Sequence, residues 1–152
     1  MDIKKRYQKD YILLGGLRKF VEDGTLLASL NFWRDSVQNY KEFEAIENRE
    51  NIVKNNPDFL NSEFLVAFVK EDFPEIEDEI PENIIGIALS IIRKQEGKKT
   101  AELTKKFLIE YATSIAKASK EDWLAFIGLG DSISDEEELF IEKLESLFDL
   151  AK

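Results

Sequence analysis

The sequence predicts a single all-α domain over residues 1–152, built from six or seven helices. Three observations carry this. Turn-forming residues are sparse: seven glycines and three prolines in 152 residues are too few for a sandwich or barrel, whose short strands need frequent turns. Apolar residues recur at three- and four-residue spacing along most of the chain, the period of a helix with one buried face. No segment alternates apolar and polar residues well enough to form a half-buried strand.

Tyr7 to Val21 reads as the first helix, with Leu13, Leu14, Leu17, Phe20 and Val21 facing inward. Gly15-Gly16 weakens it, because glycine loses the most backbone entropy on ordering. Asp23-Gly24 is a turn pair that ends it. Thr25 caps a second helix carrying Leu26, Leu27, Leu30, Trp33, Val37 and Tyr40. The charged stretch from Lys41 to Asn55 either extends that helix or forms its own, and Asn55-Asn56-Pro57 breaks it. After Ser62, Phe64, Leu65, Ala67, Phe68 and Val69 form a short buried helix. Glu71 to Pro81 is an acidic connector.

Pro81 suits the first turn of the next helix, where its missing N–H costs nothing. Ile84, Ile85, Ile87, Ala88, Ile91 and Ile92 cover most of that helix's circumference, which makes it central. Isoleucines also favour strands, but no second strand offers to pair. Gly97 stops the helix. Thr100 caps a helix reaching Ala118, with Phe107, Leu108, Tyr111, Ala112, Ile115 and Ala116 in its buried stripe. From Trp123 to Gly130 the aromatics pin a long inter-helix loop to the core; if exposed, Trp123 or Phe126 would instead anchor a partner. Ser134 and Glu137 form a capping box, and Phe140, Leu144, Leu147, Phe148 and Ala151 line the inner face of the final helix.

Composition removes whole classes of chemistry. The chain has no cysteine and no histidine. Disulfides, thiol nucleophiles, histidine relays and zinc sites built on either residue are excluded. A bound metal would be a hard cation held by oxygen, namely calcium or magnesium. An acid or base would be a carboxylate, lysine or tyrosine. The formal charge of −10 repels phosphate backbones, so no nucleic-acid partner is expected. The longest mostly apolar stretch, Ile84 to Ile92, is about half the roughly 20 residues of a membrane span. The N-terminus imitates a signal peptide but offers no small-residue cleavage site, and the expected location is cytoplasmic.

Two acidic regions invite a metal reading. Glu71, Asp72, Glu75, Glu77, Asp78, Glu79 and Glu82 crowd into the connector, but Pro74 and Pro81 hold it extended and a solvated charge run explains it. Asp131, Asp135 and Glu142 fall at positions 1, 5 and 12 of an EF-hand loop, yet Ile133 and Glu136 occupy positions 3 and 6, where a ligand and a glycine are needed. A standard EF-hand is rejected, and helix capping accounts for most of these acids.

The run from Tyr111 to Ser119, the stretch Leu129-Gly130-Asp131-Ser132-Ile133-Ser134-Asp135-Glu136-Glu137 and the amphipathic helix after it resemble the TerB-like tellurite-resistance family over about residues 107–150. Asp23-Gly24 resembles the equivalent turn in the first half. The resemblance implies an all-helical domain with an acidic surface, a role in stress-response assemblies and a divalent-cation site. Asp23, Asp131 and Glu137 are the residues it carries over, Asp131 with a shift of one position.

The expected function is a non-enzymatic TerB-like helical module that binds a protein partner in stress response, with a weak calcium or magnesium site at Asp23, Asp131 and Glu137. The alternative is a carboxylate-based enzyme acting on a small cationic or metal-bound substrate. An enzyme would converge two or more acids with perturbed pKa values in an apolar pocket; an interaction module would instead show an exposed apolar patch beyond roughly a few hundred Å².

Overall fold

The computed structural model describes the backbone of residues 1–29, 36–127 and 135–150, and the side chains of residues 1–28, 42–118 and 136–150. Among the described residues every regular element is helical: α1 (Ile3–Tyr7), a 3-10 turn (Gln8–Asp10), α2 (Tyr11–Ser29), α3 (Ser36–Glu47), α4 (Glu50–Lys54), α5 (Pro57–Leu60), α6 (Glu63–Lys70), α7 (Ile84–Glu96), α8 (Lys98–Ile127) and α9 (Asp135–Leu150). The described residues thus form nine α-helical segments where six or seven were expected. The additions are the single-turn pieces α1, α4 and α5.

Helix α8 is the axis of the molecule, with α2, α3, α7 and α9 packed around it. Its predicted stripe is the centre of the core: Phe107, Leu108, Tyr111, Ala112, Ile115 and Ala116 have no exposed surface. The Phe107 ring meets Phe59 of α5 edge-on and stacks on Tyr111. A second aromatic group, Tyr7, Phe64, Phe68, Phe73 and Tyr11, joins α1, α6 and the connector to the start of α2.

Several local expectations hold for the stated reason. The Ser62 hydroxyl accepts the Leu65 N–H at 3.2 Å and starts α6. Pro57 opens α5 after the N-cap Asn56. Gly97, at φ 99°, ends α7 in a backbone region that residues with a Cβ rarely adopt. The charged stretch after Lys41 divides: α3 closes at Glu47 and α4 is separate.

Other boundaries move. Asp23-Gly24 does not end α2, which continues to Ser29. The Phe140 ring lies against Gly24, where a methyl group would overlap it. Thr25 is not an N-cap but an interior residue whose hydroxyl donates to the Val21 carbonyl at 2.7 Å. Pro81 stands before α7 and accepts the Ile84 N–H at 3.1 Å, so the helix opens after Asn83. Helix α8 starts at Lys98, directly after Gly97, and Thr100 is already inside it. The helix also runs through the segment expected to be a loop from Trp123, reaching Ile127. The Trp123 and Phe126 side chains, and the proposed cap Ser134, lie outside the described residues.

The Gly15-Gly16 pair serves packing. The acidic connector forms a strap without helix between α6 and α7 and crosses α2 at these glycines. A Cβ at Gly15 would stand 2.8 Å from Phe73, and one at Gly16 would stand 3.3 Å from Ile84. Phe73, Ile76 and Ile80 face inward, while Asp72, Glu75, Glu77, Asp78, Glu79 and Glu82 are exposed.

Candidate functional site

The most concentrated buried chemistry lies where α2, α6 and α8 meet. Arg18, 8% exposed, donates from Nη1 to the Phe68 carbonyl at 2.8 Å. Arg49 donates from Nε to the Val69 carbonyl at 2.7 Å and from Nη1 to the Ile46 carbonyl at 3.0 Å. Both guanidinium groups thus cap the last turn of α6, whose carbonyls lack helical partners and carry the negative end of the dipole. Glu22 balances this positive charge: its carboxylate lies 3.6 Å from Arg18 Nε and accepts the Tyr111 hydroxyl at 2.5 Å. Phe73 covers Arg18 from the strap, its ring centroid 4.8 Å away.

Burial and the neighbouring Arg49 charge lower the Arg18 pKa, against the attraction of Glu22. Burial, with the charge and hydrogen bond of Glu22, pushes the Tyr111 phenol far above its ordinary value. Each polar group is engaged in holding helices together. None of the surface grooves described below is lined by Arg18, Glu22, Arg49 or Tyr111. The arrangement stabilises the fold. Sequence reading missed it because Arg18 looked like the end of an apolar run and Tyr111 like simple core. The available signal was the i,i+4 pair of Arg18 and Glu22 on the face that also carries Leu14.

The three expected metal ligands are placed differently from one another. Asp23 is 45% exposed at its side chain and pairs with Lys19 one turn earlier, at 3.4 Å. Glu137 is fully buried in the first turn of α9. Asp131 lies outside the described residues. Among the described residues no group of three or more acidic side chains is placed to hold a metal ion. Residues 135–142 of the EF-hand-like window are helical, which agrees with its rejection.

The surface is where the charge is organised. The strap and first turn before α7, residues 71–82, hold seven acids and no lysine or arginine. The other end of α7 is basic: Arg93, Lys94, Lys98, Lys99, Lys105 and Lys106 face only Glu96 and Glu102 over residues 93–106. Helix α1 adds to the basic end, because Arg6 donates to Glu96 at 2.6 Å and to the Gln95 carbonyl at 3.0 Å. Tyr7 donates to the same carboxylate at 2.7 Å.

At this basic end a cleft of about 660 Å³ opens between α5 and α8, lined by Asp58, Asn61, Lys98, Lys99, Glu102, Leu103 and Lys106. Lys105 takes the Glu102 carboxylate at 3.0 Å. Among the described residues Lys98, Lys99 and Lys106 form no ion pair. Lys98 and Lys99 also open α8, the end where the helix dipole is itself positive, so the two effects add. A second groove of about 470 Å³ between α8 and α9 collects Glu102, Glu110, Glu145 and Asp149 beside Lys105 and Lys106.

Compared with known proteins, the chain matches no family model, no curated protein and no solved structure. Among the described residues no helix is long and apolar enough to cross a membrane.

Proposed function

We propose that this chain is a non-enzymatic helical module for protein interaction, TerB-like in kind and acting in stress response. One observation carries the reading: surface charge is segregated along α7, with the acidic strap at its N-terminal end and the basic cleft at its C-terminal end. Segregated charge in contact range selects partners and their orientation. The buried charges do the opposite work, since they are consumed by helix capping and helix–helix bonds. The all-helical architecture and acidic surface are what the TerB-like resemblance implies. The divalent-cation part of that reading rests on Asp131 and Glu137, with Asp23 committed to Lys19.

Among the described residues the carboxylate-enzyme alternative finds four acids together in the α8–α9 groove. Two lysines line the same groove, and Lys105 is held by Glu102 there.

The test is comparative capture from an extract of the source cells, unstressed and exposed to tellurite. Wild-type protein should retain a specific partner that Lys98→Glu/Lys99→Glu/Lys106→Glu loses, with the melting curve unchanged. Identical retained proteins for both baits would overturn the reading.

A further inference from the structure

Resting on the interaction reading above, we propose that the acidic strap of one molecule docks into the basic cleft of a second copy of the same chain, head to tail. The strap is held ready for this. Phe73 and Ile76 fasten it to α2, Ile80 packs against the core, Pro74 and Pro81 stiffen it, and Glu75, Glu77, Asp78 and Glu79 are exposed. An extended segment already ordered in the free protein loses little further entropy on docking. Among the described residues none of those four acids forms an ion pair; Glu82, at the end of the strap, pairs with Lys143 of α9.

The dimensions agree. Lys99 and Lys106 are two turns apart, about 10 Å along α8 at the helical rise. Glu75 and Glu79 are four residues apart on a non-helical segment with a bend at Asp78, which keeps their span below about 13 Å, the length of fully extended chain. Leu103 lies between the lysines, so the cleft has apolar surface to cover as well as charge to match.

Within one molecule the strap and the start of the cleft lie at opposite ends of α7. Its 13 residues put about 20 Å between the strap and Lys98 and Lys99, against a screening length of about 8 Å at physiological ionic strength, and among the described residues no ion pair joins the strap to the cleft. Between two molecules they can meet. The net charge of −10 slows encounter, and at contact the lysine–carboxylate pairs lie within the screening length. Because the strap and the cleft are different surfaces, two copies that exchange straps close as a two-fold dimer, and copies that dock one way only propagate as a chain or ring.

Sedimentation velocity of the purified full chain tests this. At low salt, about 50 mM sodium chloride, the average mass should rise with protein concentration above that of the monomer, and about 500 mM salt should return it to monomer. Lys98→Glu/Lys99→Glu/Lys106→Glu should weaken association at least about tenfold, and Glu75→Lys/Glu77→Lys/Glu79→Lys should do the same. An equimolar mixture of the two variants should associate again, because each then meets a surface of opposite charge. Wild-type protein that stays monomeric to about 0.5 mM overturns the proposal, as does association insensitive to salt and to both variants. If a variant fails to fold, the wild-type salt series alone decides. A monomeric wild type whose cleft variant still loses a captured partner overturns self-docking while the interaction reading stands.

Discussion

Tyr111 on α8 donates its hydroxyl to Glu22 on α2 at 2.5 Å, and this bond joins the two longest helices through the middle of the core. A buried phenol needs an acceptor, and a carboxylate drawn largely out of water needs compensation. Glu22 meets both needs, since Arg18 approaches it from the other side. Arg18 in turn fixes α6 through the Phe68 carbonyl. Three helices are thereby held in one register by groups that are all spoken for.

Tyr111→Phe keeps the ring and its stacking on Phe107 but removes the donor to Glu22. It should cost about 1.5–3 kcal/mol, the range for a hydrogen bond to a charged group. Phe107→Ala should cost about 2–5 kcal/mol, because it empties a fully buried site. Urea denaturation of both variants measures this. A loss under about 1 kcal/mol at both positions would contradict the central place given to α8.

The glycines give a paired test. Gly86 lies in α7 with open space where a methyl group would stand, so Gly86→Ala should stabilise by about 0.5–1 kcal/mol through helix propensity. Gly24→Ala has the same propensity gain, yet its methyl would overlap the Phe140 ring. It should therefore lower the melting temperature, and Phe140→Leu in the same chain should recover part of the loss. Equal gains at both glycines would show that α9 does not press on α2 at this point.

Alkaline pH should unfold the protein early. Burial, then the hydrogen bond and charge of Glu71, push the Tyr11 phenol up to about 12. Burial, with Glu96 and Glu22 respectively, raises Tyr7 and Tyr111 further. An unfolded tyrosine loses its proton near pH 10, while these remain protonated in the fold. Their stabilising contribution is full below about pH 10 and is lost as pH rises from there through the folded values. Denaturation midpoints at intervals from about pH 8 to about pH 11.5 should fall most steeply above about pH 10, and less steeply in Tyr111→Phe. A flat profile would contradict the burial of these phenols.

Calcium or magnesium at millimolar concentration should move the melting temperature by less than about 1 °C, since stabilisation needs ligand well above its Kd. Asp23 is occupied by Lys19, and Glu137 is enclosed in the core. A larger shift that Asp131→Asn or Glu137→Gln removes would restore the full cation site implied by the TerB-like resemblance.

The sequence by itself determined what depends on neighbours a few residues apart. The helical class, the buried stripe of α8, the start of α6 at Ser62 and the stop at Gly97 all follow from local periodicity and local hydrogen bonding. The tertiary structure decided what depends on a distant surface. Turn preference at Asp23-Gly24 is a local term of about 1 kcal/mol, and the contact of Phe140 with Gly24 outweighs it, so α2 runs on. The strap presses on Gly15-Gly16 from more than fifty residues away along the chain. The Arg18, Glu22, Arg49 and Tyr111 network exists only because α6 ends where two arginines converge. The acidic run at 71–82 and the basic run at 93–106 were legible in the sequence, but that Lys98, Lys99 and Lys106 share a cleft with Asp58 and Asn61 required the path of the chain in space, because electrostatics acts through distance and not through sequence order.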